Sequence, residues 1–136
     1  MKTVLFVCVH NSGRSQIAEA FFNQLAKGKA VAISAGTQPA AQINYAVVTA
    51  MREVSMEIGG QKPKLLTPGM LESADRVITM GCSTAEVCPA IFVPTDDWDL
   101  DNPEGKPIEE VRQIRDKIKT RVEELVERLL CRKFFT

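Results

Sequence analysis

The stretch that decides the fold lies near the N-terminus, where residues 3–15 read TVLFVCVHNSGRS. It begins with an unbroken apolar run, which is typical of a strand buried on both faces of a parallel sheet. A polar loop containing a glycine follows, and from about Ser15 the apolar residues recur with helical spacing. The order of strand, loop and helix predicts the first unit of an α/β domain.

The rest of the chain continues this alternation, which favours a parallel sheet. We predict strands at residues 3–7, 29–34, 76–80 and 90–93, helices at 15–27, 43–54 and 68–74, and a polar loop at 94–106. Gly28 is predicted to end the first helix, and Thr67 to cap the short third one, with Pro68 as its first residue. A last helix starts at Pro107 and carries one apolar stripe, made of Val111, Ile114, Ile118, Val122, Leu125 and Leu129.

Composition limits the class of protein. The chain has 136 residues, which predicts a single domain over 1–136, and its 17 basic residues balance its 17 acidic ones. A neutral chain argues against binding to nucleic acid or to an anionic membrane surface. No apolar run approaches the roughly 20 residues of a membrane span, and residues 10–14 stand where a signal peptide would have its cleavage site. We therefore expect a cytoplasmic protein.

The chain has four cysteines, at positions 8, 82, 88 and 131. In a reducing cytosol, cysteines serve as buried apolar residues, as metal ligands or as redox-active thiols. On a regular helix, Cys82 and Cys88 would be separated by ~9 Å along the axis. A disulfide needs Cα atoms within ~7 Å, so a bond between them requires an unwound segment. Two buried structural cysteines remain the alternative on spacing alone, and Cys131 is interpreted as structural or incidental.

The loop after the first strand has the composition of an anion site. Ligands of open α/β sheets bind at the carboxyl ends of strands, where backbone N–H groups and a helix N-terminus can face one anion. Arg14 can hold an oxyanion through two parallel hydrogen bonds, and Cys8 in that field is expected to act as a thiolate nucleophile. Ser15 is expected to donate to the sulfur and Asn11 to lock the loop, whereas the only histidine is interpreted as a loop residue rather than a base. The candidate oxyanion-binding residues are Val9, His10, Asn11, Ser12, Gly13 and Arg14. The alternative is a buried cysteine beside a solvent-facing arginine.

At these residues the chain resembles a known family. Residues 8–16, CVHNSGRSQ, resemble the loop of the low-molecular-weight tyrosine phosphatase superfamily, and more closely that of its thioredoxin-coupled arsenate reductases. Residues 34–37, SAGT, and 75–80, DRVITM, extend the resemblance over nearly the whole chain. It implies a three-layer αβα fold with a four-stranded parallel sheet.

The resemblance also implies a reaction. Cys8 attacks arsenate, Cys82 then attacks the Cys8 sulfur as arsenite leaves, and Cys88 frees Cys8 by forming a Cys82–Cys88 disulfide. Thioredoxin or a similar dithiol donor reduces that disulfide. We expect a monomer that needs no cofactor.

The resemblance is incomplete at the general acid. In the superfamily an aspartate directly before a proline protonates the leaving oxygen, but here Asn102 precedes Pro103. Asp101 is the substitute candidate, although acidic residues on a solvated turn would look the same. The missing acid, and the missing aromatic residue after Pro103, favour arsenate over phosphotyrosine. The candidate catalytic residues are therefore Cys8, Arg14, Ser15, Cys82, Cys88 and Asp101.

A second departure concerns a cation. Some reductases of this branch hold potassium near the loop, and Asn11, Glu19 and Ser34 match three of its ligands. The two remaining ligand positions fall near Lys62 and Lys64, whose ammonium groups can replace the ion, so we predict no metal. Zinc is not expected either, because the cysteines and the histidine lack the close ligand pairs of a structural site.

Two alternatives to arsenate reduction stay open. The first is a low-molecular-weight phosphatase that hydrolyses phosphate monoesters through a Cys8 phospho-intermediate and has incidental cysteines elsewhere. The second is a non-catalytic protein that binds oxyanions or senses redox state.

Overall fold

A computed structural model describes residues 1–81 and 95–131. Its sheet has four parallel strands in the order β2-β1-β3-β4, namely β1 (Lys2–Cys8), β2 (Ala30–Gly36), β3 (Arg76–Met80) and β4 (Thr95–Asp97). The helices are α1 (Arg14–Leu25), α2 (Tyr45–Arg52), α3 (Pro68–Ser73) and α4 (Ile108–Val126), and a π-helical turn, Glu127–Cys131, continues α4. The predicted αβα fold with a four-stranded parallel sheet is confirmed.

Strand β1 shows why its apolar run is unbroken. Val4, Phe6 and Cys8 belong to the larger apolar cluster, which the sheet forms with α1, α2 and α4. Leu5 and Val7 belong to the smaller cluster on the opposite face, beneath α3. Because both faces of the sheet are covered, every side chain of the strand interior is buried, and the domain has three layers.

Most element boundaries agree with the sequence. Strand β3 has the predicted bounds, and five residues of the predicted α4 stripe are fully buried: Val111, Ile114, Ile118, Val122 and Leu125. Thr67 caps α3 as predicted, since its Oγ1 accepts a hydrogen bond from the Met70 N–H at 3.2 Å. The apolar or capping pattern of each of these elements comes from residues close together in the chain, so the sequence alone predicts it.

Two helices are shorter than predicted. Helix α1 ends at Leu25, and Gly28 lies in the turn beyond it with a φ of +81°. Helix α2 begins at Tyr45 because Asn44 precedes it as the cap, its Oδ1 accepting from the Ala46 N–H at 2.9 Å. In both cases capping and turn geometry stops the helix before the apolar spacing does.

The prediction of a loop over 94–106 is wrong at its beginning. Residues Thr95–Asp97 form β4, which pairs with β3 in the register Val77↔Thr95 and Thr79↔Asp97. The side chains of this edge strand are exposed and polar, so it lacks the apolar pattern by which buried strands are recognised. The strand predicted at 90–93 lies outside the described residues.

The strand order places a crevice at the end of β1. The chain passes from β1 to β2 on one side of it, and β3 then pairs on its other side. In open parallel sheets, ligands bind where the order reverses in this way, outside the carboxyl ends of the strands. Cys8 ends β1 opposite Met80 of β3, so the two strands deliver Cys8 and Gly81 to this crevice. Within the described residues, no helix is long and apolar enough to cross a membrane.

Candidate oxyanion-binding site

Cys8 occupies the centre of the crevice. It is 2% exposed, and its Sγ lies 2.8 Å from the Oγ of Ser15, in the first turn of α1. Strand β1 and helix α1 thus bring together two residues that are seven positions apart in the chain. A hydroxyl within hydrogen-bond distance can stabilise a sulfur anion if the hydroxyl is the donor.

The hydrogen bonds around Asn11 leave the Ser15 proton available to the sulfur. The Lys64 backbone N–H, which can only donate, lies 2.8 Å from Asn11 Oδ1 and fixes the orientation of the amide. Asn11 Nδ2 therefore faces Ser15 and donates to its Oγ at 2.7 Å. Oγ accepts from Asn11, and its own proton is available to a Cys8 thiolate, which can only accept. The hydrogen-bonded chain from Lys64 to Cys8 can thus stabilise a thiolate.

In the loop after β1, backbone carbonyls face the segment 37–44, and backbone N–H groups face away from it. The N–H groups of residues 37, 38, 40 and 44 donate to the carbonyls of residues 8, 9, 10 and 12 at 2.8–3.3 Å. The peptide bonds of this loop are trans, so each N–H points away from the carbonyl of the same peptide plane. The N–H groups that face away from the 37–44 segment are therefore those of Val9, His10, Asn11 and Gly13. Such a row of amides is what an oxyanion nest requires.

The start of α1 adds positive potential to the loop. Gly13 is the N-cap residue and has no side chain, so it does not occupy the first-turn N–H groups as a capping residue would. The missing side chain of Gly13 also makes room for Pro103, because a Cβ at Gly13 would lie 2.8 Å from the Pro103 Cγ. The loop around Pro103 therefore rests directly on the oxyanion loop.

Arg14 is 7% exposed, and its Nη1 donates to the Leu100 carbonyl at 3.1 Å. Its guanidinium lies beside Gly81, at the end of β3. Since Met80 pairs with Cys8, this position is next to the carboxyl end of β1. A buried guanidinium at that place can bind an oxyanion with its remaining N–H donors.

The candidate general acid, Asp101, lies outside the hydrogen-bond network that links Cys8, Asn11 and Ser15. Asp101 is exposed and lines a cavity of about 220 Å³ together with Lys106 and residues of α4. Asn102 is also exposed, and its Oδ1 accepts from the Glu104 N–H at 3.0 Å. The structure does not bring Asp101 into hydrogen-bond contact with Cys8, Arg14 or Ser15 within the part of the chain it describes. Its role as the general acid stays a prediction. His10 Nδ1 lies 3.2 Å from the Glu104 carboxylate.

Two of the residues near the family's potassium position, Lys62 and Lys64, are positively charged. Lys64 Nζ lies 3.8 Å from Glu19 Oε1, an ion-pair distance, whereas Lys62 is exposed. Glu19 Oε1 and the buried Ser34 Oγ have no hydrogen-bond partner among the described residues. A metal ion beside Glu19 would face the Lys64 ammonium, and like charges repel, so the donor set does not fit a cation well.

The other three cysteines lie wholly or in part outside the described residues. Cys82 and Cys88 lie outside the described residues, as does the side chain of Cys131. Within the described residues Cys8 is a free thiol.

Sequence reasoning missed several neighbours of the loop. A Cβ at Gly36 would lie 2.6 Å from the Val9 carbonyl oxygen, so this glycine lets β2 approach the loop closely. Lys64 and Leu100 contribute only backbone groups. A contact made through backbone groups does not restrict the residue type, so the sequence does not reveal it. Of these neighbours, only Gly36, in the SAGT stretch, could have been recognised from its residue type.

Comparison with known proteins identifies the family. The sequence profile of the low molecular weight phosphotyrosine protein phosphatases matches residues 3–133. A provisionally named arsenate reductase of Halobacterium salinarum is 40% identical over 125 residues, which cover 88% of this chain and 87% of that protein.

Two solved structures show the same fold. A thioredoxin-dependent arsenate reductase of Corynebacterium glutamicum matches with a TM-score of 0.77 and 37% identity over 92% of this chain, but over only 60% of its own length. An arginine phosphatase of Geobacillus stearothermophilus matches with a TM-score of 0.88 and 25% identity, over 98% of this chain and 96% of that one. The resemblance inferred from the oxyanion loop is confirmed. This chain belongs to the low molecular weight phosphotyrosine protein phosphatase family, on the branch that contains the arsenate reductases.

Proposed function

We propose that this protein reduces arsenate to arsenite with thiols as the source of electrons. The observation that carries the proposal is the hydrogen-bonded chain that ends on Cys8, in which Lys64 orients Asn11, Asn11 donates to Ser15, and the Ser15 hydroxyl lies 2.8 Å from the sulfur, to which it can donate. This arrangement stabilises a nucleophilic thiolate beside a row of amides and a buried arginine. The relatives named as arsenate reductases support the same substrate.

The first step joins sulfur to arsenic. Arsenate, a tetrahedral oxyanion, binds to the loop amides and to Arg14, which neutralise its charge. The Cys8 thiolate attacks arsenic, an As–S bond forms, and one As–O bond breaks as hydroxide or water leaves. Asp101 is the proposed proton donor to that oxygen, and Ser15 holds the sulfur as it becomes a leaving group.

The second step transfers two electrons to arsenic. The Cys82 thiolate attacks the Cys8 sulfur, so that an S–S bond forms and the As–S bonding pair stays on arsenic, which leaves as arsenite. The Cys88 thiolate then attacks Cys82 and releases Cys8 as a thiolate. The resulting Cys82–Cys88 disulfide is reduced by thioredoxin or a similar dithiol. The Corynebacterium glutamicum relative, named as thioredoxin-dependent, supports this donor.

Hydrolysis of phosphate esters is the second candidate. The Geobacillus stearothermophilus arginine phosphatase covers nearly the whole chain, and a phosphatase needs the same oxyanion loop. A phosphatase also needs a proton for its ester leaving group, and Asn102 cannot supply one. Arsenic accepts an electron pair readily, whereas a phospho-cysteine is resolved by hydrolysis. The sequence therefore favours arsenate.

A coupled assay separates the candidates. We expect NADPH consumption with thioredoxin, thioredoxin reductase and arsenate, and its loss in Cys82→Ser and in Cys88→Ser. Cys131→Ser, which changes a thiol outside the proposed relay, is the matched control and should keep its turnover. Absence of arsenate turnover, together with hydrolysis of p-nitrophenyl phosphate that survives both relay substitutions, would assign the protein as a phosphatase.

A cytoplasmic location fits the proposal, because its dithiol donors keep cysteines reduced there.

A further inference from the structure

Gly81 lies directly against the guanidinium of Arg14. It follows the last residue of β3 and has a φ of +81°, a backbone conformation that L-residues with a Cβ rarely adopt. A Cβ at this position would lie 3.0 Å from Arg14 Nη1, 3.8 Å from Cζ and 3.9 Å from Nη2. Three atoms of the guanidinium therefore face the bare Cα of Gly81. Any side chain at this position would push the guanidinium away from the end of β3.

Among the described residues, the guanidinium of Arg14 hydrogen-bonds only to backbone. Its Nη1 donates to the Leu100 carbonyl, and in the described part of the chain its guanidinium forms no ion pair with a carboxylate. The position of this buried charge thus depends on two backbone contacts, one with Leu100 and one with Gly81. Because no carboxylate in the described residues neutralises the guanidinium, its charge remains available to an incoming oxyanion.

We propose that Gly81 is a positioning residue that sets the oxyanion affinity of the site through Arg14. The missing side chain lets the guanidinium lie against the end of β3, beside the strand that carries Cys8. A methyl group there would displace Nη1 by a few tenths of an ångström, and two parallel hydrogen bonds to an oxyanion tolerate little displacement. The proposal deepens the proposed function, but the binding effect it predicts does not depend on which reaction follows.

The chain offers a matched control for the strain of the substitution. Gly28 also has a φ of +81°, and a Cβ at Gly28 would have no atom within 4 Å. Gly28→Ala therefore introduces a Cβ at the same positive φ as Gly81→Ala, without the contact with Arg14. A difference in oxyanion affinity between the two variants reports the contact alone.

The test is the affinity for inorganic phosphate, measured by isothermal titration calorimetry on the full reduced chain. We expect Gly81→Ala to bind phosphate about tenfold more weakly than the parent, and Gly28→Ala to bind it as the parent does. In the arsenate assay, Gly81→Ala should raise KM by more than it lowers kcat. In an Arg14→Ala background, Gly81→Ala should cause no further loss of affinity, because the group it acts through is absent. Equal phosphate affinity in Gly81→Ala and Gly28→Ala, or an effect that persists without Arg14, would overturn the proposal.

A second variant keeps the test decisive if Gly81→Ala does not fold. Asparagine adopts positive φ more readily than alanine but still carries a Cβ, so Gly81→Asn keeps the contact at lower strain. It should also lose phosphate affinity, and parent-like affinity in Gly81→Asn would contradict the proposal. Failure of the proposed function looks different: the parent would bind phosphate, Gly81→Ala would bind it weakly, and neither would reduce arsenate.

Discussion

At the scale of single residues, the orientation of the Asn11 side-chain amide determines which partners remain for the Ser15 hydroxyl proton. Asn11 is fully buried and has a φ of +50°, a conformation that asparagine tolerates better than most residues. Its Oδ1 accepts from Lys64 N and Gln16 Nε2, so only its Nδ2 is directed at Ser15. The side chain of Asn11 thus holds the loop and also directs the Ser15 proton to Cys8. Neither effect requires contact between Asn11 and the substrate.

Replacing Asn11 by an isosteric acceptor tests this polarity. In Asn11→Asp, the carboxylate accepts from Ser15, so the Ser15 proton turns away from Cys8 and the thiolate loses a charge-assisted hydrogen bond. Such a bond contributes about 1.5–3 kcal/mol, which predicts a fall of about tenfold or more in the alkylation rate of Cys8 by iodoacetamide at pH 7. The rate is read for Cys8 alone by mass spectrometry of its peptide.

Ser15→Ala removes the same donor and should slow Cys8 alkylation to a similar extent. Asn23→Asp is the control, because Asn23 is a half-buried amide that bonds to Ala32 on β2, away from Cys8. Alkylation of Cys8 at the parent rate in both Asn11→Asp and Ser15→Ala would show that the hydroxyl does not donate to the sulfur.

At the scale of elements, the loop that follows β4 packs on the oxyanion loop at one point. Trp98 is buried against Phe6, with ring centroids 5.7 Å apart, and Pro103 is buried over Gly13. Between these anchors the Leu100 carbonyl accepts from Arg14. The loop that carries Asp101 is therefore positioned by contacts on either side of it.

A double substitution tests the contact between Gly13 and Pro103. Gly13→Ala places a methyl group 2.8 Å from the Pro103 Cγ, which must displace one loop from the other. A shift of this kind costs about 100-fold in kcat/KM. Pro103→Ala removes Cγ and Cδ, so the double variant should recover at least about 1 kcal/mol of that loss in transition-state stabilisation. Kinetics of arsenate reduction in the single and double variants measure this coupling, and strictly additive effects would contradict the contact.

The elements also show where sequence reasoning works. Strands β1 and β3 and helix α4 were predictable because their burial follows from a repeating apolar pattern. Strand β4 was not, because it lies at the sheet edge with exposed side chains and is defined by hydrogen bonds to β3. The position of residues 8–15, in a loop between β1 and α1 at the carboxyl end of the sheet, was predictable, and their role as an anion site stays a prediction. The contacts of Leu100 and Gly81 with Arg14, and the bond from the Lys64 backbone N–H to Asn11, were not predictable, since they arise only through the tertiary fold.

At the scale of the whole molecule, a charged cluster joins α2 to α4. Glu53, which follows α2, accepts from Arg112 Nη2 at 2.7 Å and from Arg115 Nη1 at 2.9 Å. Arg115 is buried and also donates to the Ala50 carbonyl at 2.8 Å, although the apolar stripe of α4 predicts no charged residue on that face. Several effects together lower the pKa of Glu53 from 4.5 to about 2: the hydrogen bond from Arg112 is the largest, Arg115 also lowers the pKa, and burial opposes both.

The lowered pKa predicts how stability depends on pH. The folded state binds the Glu53 proton more weakly than the unfolded state, so the contribution of Glu53 is complete above pH 4.5 and is lost as the pH falls toward 2. Glu53→Gln should therefore lower the free energy of unfolding at pH 7, and the difference from the parent should shrink over this range. Urea unfolding at several pH values measures it. Glu72→Gln, at an exposed position on α3, is the control. A difference that does not change with pH would refute the assignment.

The most direct test of the proposed function is a single turnover in the absence of any electron donor. Reduced Cys88→Ser protein is mixed with arsenate, the arsenite formed is quantified, and the disulfide is located by peptide mapping. The relay predicts about one arsenite per chain and a disulfide between Cys8 and Cys82, because the attack of Cys82 on Cys8 transfers both electrons to arsenic and needs no further thiol. Cys8→Ser should form no arsenite. Folded Cys88→Ser protein that binds arsenate, forms no arsenite and keeps all its thiols free would contradict the account.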